Sequence, residues 1–141
     1  MWQMLLSSLD RFRDIGLLVL RLGWGGAYLW IHGGPKIFGG VERWEKLGGA
    51  MSYIGIDFTP ALWGFMAALS EFGGAILLAL GLFFRPVLIF LFITMAMAAV
   101  SHLGRGDSLG MASHAIENAI VFAALFLIGP GKYSLDEKLR R

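Results

Sequence analysis

Four apolar stretches, each long enough to cross a bilayer as a helix, dominate this sequence. A membrane helix needs about 20 mostly apolar residues to span a hydrocarbon core of roughly 30 Å. Of the 141 residues, 57% are hydrophobic and only 16% are charged, whereas soluble domains carry about 25% charged residues. The sequence therefore predicts an all-α integral membrane four-helix bundle that forms one domain over residues 1–141. The predicted spans are about 15–38, 60–84, 86–103 and 109–128.

The segments outside these spans are short. Pro60 and Pro86 each fit the first position of a helix, where a missing amide proton costs no hydrogen bond. The segment from Met1 to Asp14 mixes apolar and charged side chains, which predicts a helix lying at the membrane interface. The loop from Gly39 to Thr59 contains Trp44 and other large apolar side chains. We expect a short interfacial helix or lid there.

Two features of the chain limit its chemistry. The first apolar stretch resembles a signal peptide, but it is too long, contains Arg21 and lacks an Ala-x-Ala cleavage site. We therefore expect it to remain as a membrane helix. The chain has no cysteine, which excludes dithiol chemistry, a disulfide and a cysteine-bound iron–sulfur cluster. Any redox role therefore requires a bound cofactor, a diffusing substrate or a partner subunit.

The lysines and arginines predict the orientation of the bundle. They lie in the gaps between apolar stretches rather than on one face, so we expect no nucleic-acid partner. Seven fall on the side of the two termini and four on the other side. By the positive-inside rule, we expect both termini in the cytoplasm. We also expect the chain to reside in the inner membrane. The first set is Arg11, Arg13, Arg85, Lys132, Lys138, Arg140 and Arg141; the second is Lys36, Arg43, Lys46 and Arg105.

Ionisable side chains inside the predicted spans are the strongest indication of function. A charge at the bilayer centre costs about 2.5 to 3.5 kcal/mol, so each such group needs a reason. On the first helix, one stripe at about 3.6 residues per turn carries Arg21, Gly25, Tyr28 and His32. We expect this stripe to face the bundle interior. The ionisable set comprises Arg21, His32, Lys36, Glu71, His102, His114 and Glu117.

Arg21 and Glu71 are predicted to form a buried ion pair. Counting about 1.5 Å per residue from the predicted helix ends places the two residues within about 5 Å in depth. Such a pair fixes the register of the two helices, because a buried charge without its partner is costly. In the alternative interpretation, Glu71 contacts a ligand and Arg21 sets its protonation state.

A polar pocket is predicted near the outer membrane face. The alternating helix directions bring His32, His102, His114 and Glu117 to one depth, although they lie on three helices. Asn118 lies on the same side of the fourth helix as His114 and Glu117. Because polar groups facing lipid are costly, we expect the four ionisable side chains to line one pocket.

The floor and mouth of this pocket are also predicted. Tyr28 and Glu71 are expected to form the floor, and the loop around Trp44 is expected to cover the mouth. Two structural interpretations stay open at this stage. His102 fits an ordinary interfacial residue at a helix end, and Glu117 fits a residue that complements the dipole of a helix N-terminus.

An ordered series of short motifs runs along the chain. It begins with Leu20-Arg21-Leu22 and His32-Gly33-Gly34-Pro35-Lys36-Ile37-Phe38-Gly39, and continues with Ser70-Glu71-Phe72-Gly73-Gly74, Gly81 and Arg85. It ends with His102, Glu117 and Gly129-Pro130-Gly131-Lys132-Tyr133-Ser134-Leu135-Asp136. In order and spacing, these motifs resemble the DoxX family of small bacterial and archaeal membrane proteins, from Leu18 to Asp136.

The resemblance implies a quinone-linked redox subunit. Similar proteins include a subunit of an archaeal thiosulfate:quinone oxidoreductase, and others have been linked to membrane oxidoreductase complexes. The family also resembles, in architecture, the four-helix quinone-reducing enzymes that act on vitamin K epoxide. Those enzymes use paired cysteines, which this chain lacks, so their chemistry does not carry over.

Two hypotheses of different classes follow. The first is a membrane subunit of a quinone-linked oxidoreductase that binds a quinone or similar lipophile in the polar pocket. The second is a non-enzymatic membrane module that binds a lipophile or a divalent metal, or anchors a partner complex. A redox partner subunit and a homodimer are compatible with both. The candidate catalytic residues are His32, Glu71, His102, His114 and Glu117, and the candidate cofactor-binding residues are Arg21, Tyr28, Lys36 and Asn118.

Overall fold

The computed structural model describes residues 9–141 as six helices, and these residues contain no strand. Helix α1 comprises an α-helix over Arg13–Tyr28, a π-helical turn over Leu29–Gly33 and a final α-helical turn over Gly34–Ile37. Helix α2 covers Gly40–Gly48 and continues as a 3-10 helix over Gly49–Ile54. The remaining helices are α3 (Pro60–Leu80), α4 (Phe84–Gly104), α5 (Leu109–Ile128) and α6 (Leu135–Leu139).

Four of these helices are long and apolar enough to cross a membrane. They are α1, α3, α4 and α5, so the predicted all-α membrane bundle is confirmed. The start of α1 meets the end of α5, as four crossings require. Arg13 Nη2 donates to the Ile128 carbonyl at 3.1 Å, and the Lys132 amide donates to Asp14 Oδ1 at 3.1 Å. We call this end of the bundle the terminal end, and the other the loop end.

The predicted boundary between the second and third spans needs a correction. Helix α3 ends at Leu80, since Gly81 adopts the left-handed conformation (φ 65°), and α4 begins at Phe84. Pro86 is therefore the third residue of α4, not the first. Proline is still tolerated there, because the first amides of a helix have no partner within it. Asp136 satisfies two amides at this point, accepting from Phe83 N at 2.9 Å and Phe84 N at 2.8 Å.

The predicted interfacial helix between the first two spans is present as α2. It packs closely against the start of α3, where Gly48 and Gly64 face the backbone of the opposite helix. A methyl group at either glycine would overlap that backbone. Trp44 Nε1 donates to the Lys36 carbonyl at 3.0 Å, and the Trp44 ring packs edge-on against Phe65. Helix α2 is thus attached to both α1 and α3.

The predicted interfacial helix at the N-terminus lies mostly outside the described residues. Residues 1–8 are not described, so that part of the prediction stays a prediction. The buried apolar core of the described bundle draws on all four spanning helices, including Leu17, Leu78, Leu91 and Phe122. Most other large apolar side chains of the spans are exposed, as expected for surfaces that face lipid.

Candidate functional site: a histidine pair beside a buried ion pair

The end of α1 is wound as a π-helical turn, and this turn positions the site. Pro35 has no amide proton, and its ring clashes with the carbonyl four residues earlier in a regular helix. The turn before it accommodates one extra residue, with the Gly34 amide donating to the Leu29 carbonyl. The buried stripe through Arg21, Gly25 and Tyr28 is confirmed. In the π-helical turn the next buried residue is Gly33 instead of His32, so His32 is half-buried at the edge of the stripe.

Lys36 and Glu71 form a buried ion pair between α1 and α3. Lys36 Nζ lies 2.6 Å from Glu71 Oε1 and 2.7 Å from Oε2. The Glu71 side chain is 2% exposed and that of Lys36 is 20% exposed. Gly33 allows this approach, since a Cβ there would lie 2.8 Å from Phe72 Cα. The buried Glu71 carboxylate is therefore stabilised by direct contact with the Lys36 ammonium group rather than by hydration.

The predicted pair between Arg21 and Glu71 is wrong. Arg21 is 1% exposed, and its guanidinium donates to the Tyr133 carbonyl at 3.0 Å and to the Ala79 carbonyl at 3.4 Å. The two helices run in opposite directions, and each Cα–Cβ bond leans toward the N-terminus of its own helix. Arg21 therefore extends toward the terminal end and Glu71 toward the loop end, where Lys36 lies. Arg21 ties the C-terminal segment to α3.

His32 and His114 form a stacked pair that continues into a buried aromatic group. Their ring centroids are 4.6 Å apart with an interplanar angle of 26°. The Tyr28 ring lies 4.9 Å from His32, and the Trp24 ring stacks on Tyr28 at 4.2 Å. Tyr28 is buried, His32 is half-buried and His114 is exposed. The stack therefore leads from the bundle interior to its surface.

Asn118 holds the histidine pair in place from α5. This buried side chain accepts a hydrogen bond from Trp24 Nε1 at 3.0 Å. Its amide nitrogen donates to the His114 carbonyl at 2.7 Å and lies 3.2 Å from His114 Nδ1. The amide thus couples the imidazole of α5 to the aromatic group of α1. We call Tyr28, His32, His114 and Asn118 the histidine cluster.

Tyr28 links the other members of the histidine cluster to the Lys36–Glu71 ion pair. Its ring contacts His32, while its hydroxyl lies 3.2 Å from Met95 Sδ and close to the Glu71 carboxylate. His32 in turn lies near Lys36. The structure therefore brings together six of the predicted site residues, on three helices, and adds Trp24, which the sequence did not indicate.

His102 and Glu117 do not join this cluster. His102 Nδ1 lies 2.8 Å from Asp107 Oδ2 in the loop after α4. Its hydrogen bond, together with Arg105, lowers the pKa of the Asp107 carboxyl below its usual value. Glu117 is exposed on α5, next to buried Asn118. The prediction grouped these residues by depth, but rotation about each helix axis separates them.

The divalent-metal alternative gains no support from the arrangement of side chains. Between residues 9 and 141, no three His, Cys, Asp or Glu side chains are grouped so that they can hold a metal ion. A structural zinc site uses four protein ligands and a catalytic site uses three. His32 and His114 alone supply two.

An apolar cleft lies away from the histidine cluster, between α3 and α4. It has a volume of about 320 Å³ and was not predicted from the sequence. Ser70, Gly73 and Gly74 leave this space because small residues keep side-chain volume low on that face of α3. The remaining lining residues are Met66, Leu69, Leu77, Val87 and Phe90.

Comparison with known families agrees with this architecture. The pattern of the DoxX family matches residues 16–104, more than half of the chain. The chain belongs to the DoxX family. The DoxX match includes Tyr28, His32, Lys36 and Glu71, and it ends before His114. No curated protein and no solved structure matched the chain. Membership therefore supports a multi-pass membrane protein and leaves its ligand to be inferred from the site.

Proposed function

We propose that this DoxX protein is the membrane subunit of a quinone-linked oxidoreductase and that it binds the quinone headgroup at the histidine cluster. The observation that carries the proposal is the stacked His32–His114 pair. The His114 ring of this pair is exposed at the bundle surface. Buried Tyr28 and the Lys36–Glu71 ion pair lie behind the two rings. A ligand that travels in the bilayer reaches such a site sideways, without passing through water.

The chemistry of the cluster suits a planar ligand with carbonyl groups. Aromatic and imidazole rings stack against flat molecules, and an imidazole N–H donates a hydrogen bond to a carbonyl oxygen. Ligand sites are usually apolar walls with a few well-placed polar groups. Here the exposed His114 ring and the half-buried His32 ring supply both the stacking surface and the donors, and Tyr28 and Trp24 support them from behind. Asn118 restricts the rotation of His114.

The residues behind the stack are suited to supplying protons. When bound, a quinone accepts electrons and protons during reduction. An imidazole ring has two nitrogens, so His32 and His114 can each accept a proton at one nitrogen and donate one from the other. The Lys36–Glu71 ion pair adds a charged donor and acceptor within the bundle, and Tyr28 lies between this pair and His32. These groups form a short polar route into the membrane.

The electrons must come from elsewhere, because the chain has no cysteine to carry them. We therefore propose a redox partner subunit. We also propose that both termini lie in the cytoplasm and that the chain resides in the inner membrane, since the terminal end carries most of the lysines and arginines. The chain's small-residue faces are compatible with a homodimer.

Quinone binding is expected to depend on His32 and His114 but not on His102. With the purified protein in nanodiscs, a short-chain ubiquinone is expected to quench tryptophan fluorescence, because Trp24 adjoins the stack. His32→Ala and His114→Ala are each expected to raise the dissociation constant about tenfold, since each removes a hydrogen bond and a stacking surface. His102→Ala is the matched control and should bind like the wild type.

Two results would contradict the proposal. One is quenching that does not saturate in the wild-type protein. The other is an equal dissociation constant in all three histidine variants. Saturable binding without quinone reduction in the presence of membranes from the source cell would favour a non-enzymatic lipophile-binding module.

A further inference from the structure

A second cavity, at the terminal end of the bundle, combines apolar walls with two arginines. Its volume is about 300 Å³, and it lies between the start of α4 and the C-terminal helix α6. We propose that this cavity binds the headgroup of an anionic phospholipid, with Arg85 and Arg140 holding its phosphate. The lining residues are Phe83, Phe84, Arg85, Pro86, Pro130, Asp136, Leu139 and Arg140.

The arginines at this cavity are available to a ligand. Arg85 Nε donates to the Phe126 carbonyl at 3.1 Å, which anchors the guanidinium. Within residues 9–141, the two terminal nitrogens of Arg85 and the whole Arg140 guanidinium have no hydrogen-bond or ion-pair partner. A guanidinium binds phosphate through two parallel N–H donors. Two such groups at one cavity offer paired donors to the two non-esterified oxygens of a phosphodiester.

Within residues 9–141, the one carboxylate in the lining, that of Asp136, forms no ion pair with either arginine. Asp136 accepts hydrogen bonds from Phe83 N and Phe84 N, so its charge is directed at the start of α4. The terminal end carries seven lysines and arginines but only four acidic residues, and residues 1–8 carry no charged side chain. The four acids are Asp10, Asp14, Asp136 and Glu137. The surface around the cavity is therefore positive.

The apolar walls distinguish a lipid from a free anion. Phe83 is 63% exposed and Leu139 is 76% exposed, although both lie beside charged residues at the end of the spans. Side chains at this depth meet the glycerol and the first methylene groups of a phospholipid. Inorganic phosphate has no apolar part that would contact these walls. A phospholipid contacts the arginines and the apolar walls together.

Native mass spectrometry of the detergent-purified protein tests this proposal. Phosphatidylglycerol is expected to bind more tightly than phosphatidylcholine with the same acyl chains. One arginine near an anionic membrane surface contributes about 1 kcal/mol, or about fivefold in affinity. Arg85→Gln/Arg140→Gln is therefore expected to weaken phosphatidylglycerol binding about 25-fold. The control, Arg43→Gln/Lys46→Gln, removes two exposed basic residues of α2 at the loop end and should change nothing.

A single variant and a competition experiment with inorganic phosphate complete the test. Arg140→Gln alone removes no protein hydrogen bond within residues 9–141 and should cost about fivefold, so the test survives if the double variant does not fold. Equal affinity for the two lipids, or equal losses in the test and control variants, overturns the proposal. Competition by millimolar inorganic phosphate as strong as that by phosphatidylglycerol also overturns it, in favour of a simple anion site.

Discussion

Replacing Lys36 with methionine is expected to lower the free energy of unfolding of the detergent-solubilised bundle by about 3 to 5 kcal/mol. The substitution leaves the Glu71 carboxylate buried, with a side chain that is 2% exposed and has lost its cationic partner. Methionine nearly preserves the volume of lysine, so packing changes little. The expected loss therefore reports the uncompensated charge. Unfolding is measured by circular dichroism in increasing dodecyl sulfate.

A double-mutant cycle separates this charge effect from a general loss of structure. Glu71→Leu is expected to be destabilising too, because it leaves Lys36 without its carboxylate. Lys36→Met/Glu71→Leu removes both charges and is expected to recover most of the stability, since a buried pair is often replaceable by apolar residues. Lys46→Met, at an exposed lysine of α2, is the control. Single variants as stable as this control would show that the pair does not hold α1 against α3.

Gly64→Ala is expected to have the second-largest effect, a loss of about 1 to 3 kcal/mol or more. The added methyl group would overlap the backbone of Trp44, and neither backbone can move without separating α2 from α3. We expect Trp44 to become more exposed, because its hydrogen bond to the Lys36 carbonyl depends on the position of α2. Thermal unfolding and quenching of tryptophan fluorescence by acrylamide measure the two effects.

Gly26→Ala is the matched control for this close contact. Gly26 lies within α1, and a methyl group there meets nothing within 4 Å. Alanine is favoured over glycine within a helix by roughly 0.8 to 1 kcal/mol, so this variant should be unchanged or more stable. If Gly64→Ala were as stable as Gly26→Ala, α2 would not be packed against α3 as described.

The architecture could be predicted because hydropathy and length constrain it directly. The four spans and the interfacial helix α2 follow from apolar stretches and the glycines and prolines between them. The buried stripe through Arg21, Gly25 and Tyr28 follows from the helical period. The meeting of His32 and His114 follows from the alternating directions of the helices, which bring the end of α1 beside the start of α5.

The partners within the site could not be predicted in the same way. Counting from the predicted helix ends placed Arg21 and Glu71 at nearly one depth, and this was wrong. Arg21 contacts Ala79 near the end of α3, whereas Glu71 lies beside Gly33, about three helical turns farther along α1. The start of α3 packs against α2, so the ends of α1 and α3 are not level and counting from them misplaced Glu71. The opposite Cα–Cβ directions of antiparallel helices separate the two side chains further. The π-helical turn before Pro35 also changes which residues face α3, and no periodic pattern in the sequence shows it.

The position of His102 shows a further limit. At the end of a helix, a side chain can point either into the bundle or toward the loop that follows. Asp107, five residues later, draws His102 to the loop. The spacing of these two residues was visible in the sequence, but the choice depends on how the chain turns after Gly104. Glu117 likewise shares its depth with His114 and differs in rotation.

Photoaffinity labelling with an azido-quinone, followed by mass spectrometric mapping of the labelled peptides, tests the central claim most directly. Among residues 9–141, we compare two candidate places for a quinone, the histidine cluster and the apolar cleft between α3 and α4. We predict labelling on the peptides that contain His32 and His114, and its loss in the presence of excess unlabelled quinone. Competable labelling confined to the cleft, around Met66, Gly73 and Phe90, would contradict the assignment of the histidine cluster as the quinone site.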